Sequence, residues 1–438
     1  MTGWWERALA RRRETIPTRL ALIALAGVVA RILLVLATPA WSLSTDGVRF
    51  VRLAATGMEG TAFIPPLYPF FIRAVGALAG TAALAPLRLT QSILGGTTIL
   101  LAATLARRLA PERVSGRAAT LAAALVAFAP PLLLADLTVM SESLLALLTT
   151  AWLVVVSRPA SPRSGWAAAI VPGILLGLLA LCRAPMLLYA VVRPALPAAP
   201  GRTVTRALAV SAVAILLVLP WSLRNQLLFG KFVPISTNGG YNFWKSFNDA
   251  STGTESGFDL SLFSALEEAD YDAAGYAEGL RFIGEHPWRA LGLVPLKIGY
   301  FFGLERFFFI GVREGFWGPV PRWAVLVAAL LIPATQILWL AFAPVGFAAA
   351  PAGGARREIL LLAGFSVALH VVFNAEARYH VPLLPAFLAA AAAGIVARGA
   401  GVVRLSRRAS ALCILLVLLV VAFWAYEVFV EWEHLSSL

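Results

Sequence analysis

The sequence predicts an all-α, polytopic membrane protein with about 11 transmembrane helices. Three observations predict this class. Of the 438 residues, 60% are apolar and 13% are charged, and the mean hydropathy is +0.81. Apolar runs long enough to cross a bilayer recur from Leu20 to Tyr426. Arginines crowd into the short connections between these runs. Soluble globular, collagen-like and disulfide-stapled folds are therefore excluded.

Basic residues identify the cytoplasmic connections. Six segments hold 20 of the 36 basic residues but only four of the 23 acidic ones, which is the positive-inside bias. These segments are residues 6–19, 107–117, 158–163, 193–206, 356–358 and 398–408. The net charge of +13 therefore reports membrane topology, and no nucleic-acid partner is expected. Cys182 and Cys413 lie within apolar runs, which favours neither a metal site nor a redox centre.

The first half of the chain divides into spans and polar connections. Residues 1–19 predict a basic, amphipathic cytoplasmic start, and residues 20–438 a single transmembrane domain. An extracytoplasmic loop over 41–83 contains a juxtamembrane helix opened by two prolines. Spans are predicted over 20–40, 84–106, 118–134 and 138–156, as a helical hairpin within 166–192, and over 208–221. A single span with a buried Arg183 is the alternative to the hairpin.

The second half begins with a large extracytoplasmic loop over 223–322. There Gly, Asn, Ser, aromatic and 11 acidic residues replace the apolar pattern, and the length exceeds that of an ordinary connection. The stretch 288–309 is apolar but contains Lys297, Glu305 and Arg306, which predicts a peripheral or re-entrant segment. Four spans follow, over 323–342, 359–373, 381–396 and 409–426. A missed pair would raise the count to about 13.

Charged residues gather at the predicted outer ends of different spans, namely Asp46, Asp136, Glu142, Arg183, Arg224, Arg378 and His380. Arginines suit phosphate and a carboxylate suits general-base work, so this set favours a reaction on a lipid-linked anion. Each residue also has a structural interpretation. Asp46 could cap a short helix beginning at Val48, and a lone interfacial arginine more often extends to lipid headgroups than binds a ligand.

An ordered set of motifs accompanies these residues. Asp46 is followed by PPLYP (65–69), SESL (141–144), LCRAP (181–185), PWSLRNQLLFGKFVPISTNGGYNFW (220–244), EHPW (285–288) and ARYHVPLLP (377–385). Together they resemble membrane glycosyltransferases of the GT-C type, in particular bacterial members related to protein O-mannosyltransferases and lipid A aminoarabinose transferases. The resemblance spans residues 20 to 400 in the expected order.

The resemblance implies a sugar donor carried on polyprenyl phosphate, with Asp46 as the catalytic base. Arg378 and Tyr379, with Arg224 and Arg183, are then candidates for the donor phosphate. The second carboxylate is either Asp136 or Glu142. Candidates for sugar or acceptor binding are Tyr68, Asn238, Tyr241, Trp244, Lys245 and His380. Gly47 follows Asp46 where the family often has a second acidic residue, so neither a bound metal nor another cofactor is predicted.

The predicted function is an inverting transfer of a sugar from a polyprenyl phosphate donor to a glycan, lipid or protein acceptor. It is expected at the extracytoplasmic face of the cell (inner) membrane, with a cytoplasmic N-terminus. A transporter or flippase of a lipid-linked sugar is the alternative. It would need ionisable residues near span centres, where Arg31, Arg88 and His370 are candidates and no acidic residue is expected. A non-catalytic scaffold is the third interpretation.

Overall fold

The computed structural model describes residues 17–80, 83–158, 167–196, 203–254, 261–351 and 354–430. Over these ranges the secondary structure is helical and contains no strand, as predicted. The basic start lies almost entirely outside them. The longer helices are Thr18–Ala37, Thr45–Thr56, Leu67–Ala79, Leu84–Leu109, Ser115–Phe128, Pro130–Leu137, Glu142–Val156, Ala167–Cys182, Met186–Val192, Thr203–Phe229, Gly239–Ser246, Tyr271–Glu285, Pro287–Phe301, Phe307–Arg313, Arg322–Ala349, Gly354–Val372, Leu384–Gly399 and Arg407–Val430.

Fewer helices are long enough to cross a membrane than the sequence predicts. In the described ranges six helices meet the length and composition of a span, or seven if one bent pair counts as a single span. The predicted count of about 11 also included segments that form shorter helices, such as Glu142–Val156 and Ala168–Cys182. The helix Pro287–Phe301 has 15 residues and is not among the six, and its peripheral or re-entrant placement stays a prediction.

The most enclosed helix is Leu384–Gly399, in the middle of the bundle. Its run of alanines and Gly394 leaves little side-chain volume, so neighbouring backbones approach closely. A Cβ added at Gly346 would lie 1.8 Å from the Ala390 carbonyl oxygen. One added at Gly394 would lie 2.3 Å from the Phe342 carbonyl oxygen. These glycines therefore set the crossing of Arg322–Ala349 with the central helix.

One predicted span is broken and is called the bent span below. Its halves, Glu112–Phe128 and Pro130–Leu137, meet at 51°. Pro130 and Pro131 have no backbone N–H, so the carbonyls of Val126 and Ala127 lose their usual helical partners. Arg31 replaces both, since its Nη1 donates to Ala127 O at 2.7 Å and its Nη2 to Val126 O at 3.5 Å.

The two polar loops pack on one another. In the first loop (residues 41–83) the helices Thr45–Thr56 and Leu67–Ala79 end at Gly57 and Gly80, both with positive φ. Glu268, in the large loop (residues 223–322), ties the loops together: its Oε1 accepts from Ala62 N at 2.7 Å and from Thr237 Oγ1 at 2.9 Å. Residues far apart in sequence are thereby brought to one end of the bundle.

Candidate functional site

Asp46 lies in the first turn of the helix Thr45–Thr56. The helix is capped by the residue before it, because Ser44 Oγ accepts a hydrogen bond from Gly47 N at 3.2 Å. The capping role considered for Asp46 is therefore filled by Ser44. The Asp46 side chain is 37% exposed, which leaves its carboxylate accessible to a second molecule.

Arg378 joins Asp46 from the far end of the sequence. It follows Glu376 in the short 3-10 helix Ala377–Leu383, just before the central helix. Its Nη1 donates to Asp46 Oδ2 at 3.0 Å, and its Nε lies 2.5 Å from Glu376 Oε2. One guanidinium thus bridges two carboxylates, and one of those is the predicted base.

Arg183 approaches the same region through an aromatic stack. Its guanidinium lies 4.4 Å from the centre of the Tyr379 ring, and that ring stacks on His370 at 4.7 Å. His370 Nδ1 donates to Ser366 O at 2.6 Å, so its Nε2 is free to accept from Arg183 Nη2 at 3.0 Å. A neutral imidazole therefore holds Arg183 without cancelling its positive charge.

Two further carboxyl groups complete this site, which we call the Asp46–Arg378 site. Glu142 is buried, interacts electrostatically with Arg378, Arg183 and Asp46, and has one carboxylate oxygen with no hydrogen-bond partner in the described ranges. Glu305 is also buried, and burial raises its pKa to about 7. Glu142 and Glu376 raise that pKa as well, whereas the Phe307 N–H and Arg378 lower it.

Asp136 lies in a different environment from the one predicted. Its Oδ2 accepts from Arg31 Nε at 2.6 Å and its Oδ1 from Ser143 Oγ at 2.5 Å, inside the helix bundle. The bend at the two prolines brings this end of the span to Arg31. Of the two carboxylates left open by the sequence, the structure brings Glu142 rather than Asp136 to Asp46 and Arg378.

Two other candidates lie in the core. Tyr68 is 1% exposed, and its hydroxyl donates to Gln91 Oε1 at 2.7 Å. His380 is equally enclosed, and its Nδ1 donates to Phe301 O at 2.9 Å. Both were predicted to bind sugar or acceptor, but their buried polar atoms already serve neighbouring residues. Their contacts position helices around the site.

Arg224 holds the first loop instead of facing the Asp46–Arg378 site. Its Nη1 donates to Thr61 O at 2.9 Å, and its Nη2 donates to Met58 O. Its guanidinium also lies 4.6 Å from the centre of the Trp221 ring. With these partners, Arg224 supports the loop that carries Asp46, and its predicted contact with donor phosphate stays a prediction.

The motif TNGGYNFW forms a packed corner of the large loop. The glycines allow two helices to touch, since a Cβ at Gly240 would lie 2.0 Å from Asp272 O. Asp272 Oδ1 accepts from Gly240 N at 2.7 Å, and burial raises the pKa of this carboxyl. The residues predicted to bind sugar or acceptor pack against their neighbours here: Tyr241 and Trp244 contact Phe263, Lys245 lies over Tyr241, and Asn238 accepts from Ser236.

Sequence reasoning missed Glu305, Glu376 and His370 as members of the site. A signal existed for two of them. Glu305 is a carboxylate in an otherwise apolar stretch, and Glu376 precedes Arg378 by two residues. His370 was noted only as an ionisable residue within a predicted span, and its place in the site depends on stacking with Tyr379, which the sequence does not show. Over the described ranges no group of three metal-ligating side chains is positioned to hold an ion.

Comparison with known proteins finds similarity to solved structures. No protein-family model matches the chain, and no curated protein sequence does. Among solved structures, the chain is similar to the oligosaccharyltransferase of Archaeoglobus fulgidus in its apo form, with TM-score 0.49 and 14% identity over 92% of this chain and 55% of that one. The same enzyme with Zn and sulfate gives TM-score 0.49 and 16% identity over 93% and 52%.

A third similar structure is that archaeal enzyme in complex with an inhibitory peptide and a dolichol-phosphate, with TM-score 0.43 and 16% identity over 93% of this chain and 55% of that one. The chain spans about half the length of these enzymes. At such identities and TM-scores the similarity assigns neither a family nor an activity to this protein.

Proposed function

We propose that this protein is a membrane glycosyltransferase that moves a sugar from a polyprenyl phosphate donor to an acceptor hydroxyl. The observation that carries the proposal is the pairing of Asp46 with Arg378, which joins a partly exposed carboxylate to a guanidinium across 332 positions of sequence. The first residue supplies a general base and the second a phosphate ligand. Their sequence motifs resemble those of GT-C type glycosyltransferases.

The ion pair suggests how donor binding prepares the base. The donor phosphate competes with Asp46 for Arg378, and Arg183 lies nearby with its charge preserved by His370. When phosphate takes the guanidinium, Asp46 is released toward the acceptor. Donor binding therefore precedes productive acceptor binding.

In the transfer, Asp46 removes the proton of the acceptor hydroxyl while the acceptor oxygen bonds to the anomeric carbon. The bond from that carbon to the phosphate oxygen breaks, and its electron pair stays on polyprenyl phosphate, where Arg378 stabilises the new charge. One displacement inverts the anomeric centre. The arginines supply positive charge at the leaving group, so we propose a transfer that requires neither a divalent metal nor another cofactor.

The proposed location is the extracytoplasmic face of the cell (inner) membrane. The basic connections 107–117 and 398–408 would lie in the cytoplasm, and the two polar loops carrying the site would lie outside. A long prenyl chain can remain in the bilayer there while its phosphate reaches Arg378. The carboxylates of the basic connections are scattered among arginines, which does not suit the metal-bound nucleotide of a cytoplasmic sugar donor.

A transfer assay on the purified protein tests this function. Polyprenyl monophosphate mannose, glucose and arabinose serve as donors, and a membrane extract supplies acceptors. We expect release of polyprenyl phosphate with at least one donor, persisting in EDTA, and loss of that release in Asp46→Asn. Glu59→Gln, an exposed carboxylate of the same loop, is the matched control. Transfer from a nucleotide sugar without lipid carrier would disprove the donor assignment. Metal-restored activity after EDTA would disprove metal independence.

A transporter or flippase of a lipid-linked sugar is the second candidate, favoured by one observation. The buried Arg31–Asp136 pair places an acidic residue inside the bundle, where sequence reasoning expected none. However, Arg31 also bonds the carbonyls freed by the bend, which gives the pair a structural task. Movement of labelled polyprenyl phosphate sugar across proteoliposomes, unaffected by Asp46→Asn, would favour the transporter.

A further inference from the structure

Glu305 belongs to the Asp46–Arg378 site but has no role in the transfer proposed above. It lies between the helices Pro287–Phe301 and Phe307–Arg313 and is 4% exposed. Its Oε1 accepts from Phe307 N at 3.2 Å. Its Oε2 is buried and has no hydrogen-bond partner in the part of the chain that the structure describes. A buried oxygen of this kind is costly unless it meets a ligand or carries a proton.

Side chains from the helices Arg322–Ala349 and Arg407–Val430 fix the segment leading to Glu305. Gln336 Nε2 donates to Gly303 O at 2.5 Å, and Trp424 Nε1 donates to Phe302 O at 3.0 Å. Glu427 Oε2 accepts from Leu304 N at 2.9 Å. Because the backbone is held on several sides, the position of Glu305 is set before any substrate binds.

The charges that face Glu305 come from three places. Glu142 is the first residue of the helix Glu142–Val156. Glu376 and Arg378 belong to the segment before the central helix. Arg306 directly follows Glu305 in the sequence. Arg378 already contacts Asp46 and Glu376, and Arg306 Nε lies 3.8 Å from Glu427 Oε1. Glu305 thus has carboxylates around it, and the cations near it are shared with other carboxylates, so its proton-bearing form is favoured below about pH 7.

We propose that Glu305, in its neutral form, donates a hydrogen bond to the phosphate of the lipid-linked donor. The assignment rests on the proposed function and adds a residue to it. A neutral carboxyl offers an O–H without repelling the anion, whereas an ionised one beside the same phosphate would oppose binding. The Oε2 without a partner is the atom available for this contact.

The step balances without a further reactant. The acceptor proton goes to Asp46, the new bond forms at the anomeric carbon, and the electron pair of the broken bond stays on the phosphate oxygen. Arg378 and the Glu305 O–H stabilise that oxygen together, and the Glu305 proton stays on its own oxygen. The donor is a phosphodiester that does not titrate near neutrality, so a loss of transfer above pH 7 reports the protein and not the donor.

Transfer measured from pH 5.5 to 9 tests the assignment. We expect wild-type kcat/KM for the donor to fall above about pH 7, by about tenfold per pH unit, because the donating form of the free protein disappears as pH rises through the pKa. Glu305→Gln keeps a neutral donor of the same shape, so it should stay active and lose this alkaline fall. Glu305→Ala should lose about tenfold or more at pH 6.5. Glu285→Gln, an exposed carboxylate of the large loop, should behave as wild type.

A wild-type kcat/KM that does not fall above pH 7 would overturn the proposal, whether or not the variants fold. So would an unchanged alkaline fall in Glu305→Gln, or an inactive Glu305→Gln whose thermal unfolding is normal. Binding of polyprenyl phosphate at pH 6.5 and 8.5 separates this proposal from the proposed function. If no donor is turned over, the transferase assignment fails. The role of Glu305 as a hydrogen-bond donor still stands if binding weakens with rising pH more in wild type than in Glu305→Gln. That role is disproved if binding changes equally in both proteins.

Discussion

At the scale of single residues, one guanidinium organises the chemistry. Arg378 touches Asp46 and Glu376 and acts electrostatically on Glu142 and Glu305. With two cations, Arg378 and Arg183, among these four carboxyl groups, the site is poised for an anion only if some of those carboxyls move or carry protons. The exposed Asp46 can move, and the buried Glu305 can be protonated. This division separates the role of a base from that of a hydrogen-bond donor.

Replacing Asp46 should move binding and turnover in opposite directions. Asp46→Asn removes the base, so transfer should fall by roughly 10²-fold or more. It also removes the competitor for Arg378, and a partly exposed pair of this kind is worth up to about 1 kcal/mol. Polyprenyl phosphate should therefore bind up to about fivefold tighter. Isothermal titration calorimetry alongside the transfer assay measures both; weaker binding together with normal turnover would contradict the role.

Arg378 should matter through the shape of its guanidinium as well as its charge. A lysine at this position keeps one positive charge but cannot bridge two oxygen pairs, so Arg378→Lys should weaken binding of polyprenyl phosphate and Arg378→Ala should weaken it further. Arg224→Lys is the comparison, since Arg224 contacts loop carbonyls instead. Unchanged binding in both Arg378 variants would transfer the phosphate role to Arg183.

At the scale of elements, the two prolines set the direction of the second half of the bent span, Pro130–Leu137. Pro130 and Pro131 release two carbonyls, and Arg31 recovers them while pairing with Asp136. The connection that follows brings Val139 O to within 3.2 Å of a Cβ built at Gly47, beside Asp46. It then leads into Glu142 at the start of the next helix. The buried Arg31–Asp136 pair thus helps to place Asp46 and Glu142.

Breaking that pair should destabilise the protein strongly. Asp136→Ala leaves Arg31 buried without its carboxylate and should lower the free energy of unfolding by roughly 3–5 kcal/mol. Arg31→Met should be worse, because the carbonyls of Val126 and Ala127 lose their donor too. Asp249→Ala breaks an exposed pair with Arg289 and should change stability by about 1 kcal/mol or less. Thermal unfolding in detergent ranks the three, and a mild Arg31→Met would refute the account of the bend.

At the scale of the whole molecule, sidedness determines which groups can meet a lipid-linked donor. In a background without Cys182 and Cys413, Glu59→Cys and Ala277→Cys place thiols in the two polar loops, and Arg113→Cys and Arg404→Cys place them in basic connections. All four positions are exposed. In intact cells a membrane-impermeant reagent should label the first two and not the last two. Labelling at 404 from outside would invert the proposed topology.

The sequence by itself determined the helical membrane class and the candidacy of Asp46, Glu142 and Arg378, because apolar runs and charged residues are read locally. The peripheral character of Pro287–Phe301 stays a prediction. Its span count was not confirmed, since an apolar run can form a helix too short to cross a bilayer. Only tertiary structure decided which charges meet: Asp136 faces Arg31, Arg224 supports a loop, and Glu305 enters the site. Such contacts depend on packing between residues hundreds of positions apart, and neither spacing nor local propensity encodes that packing.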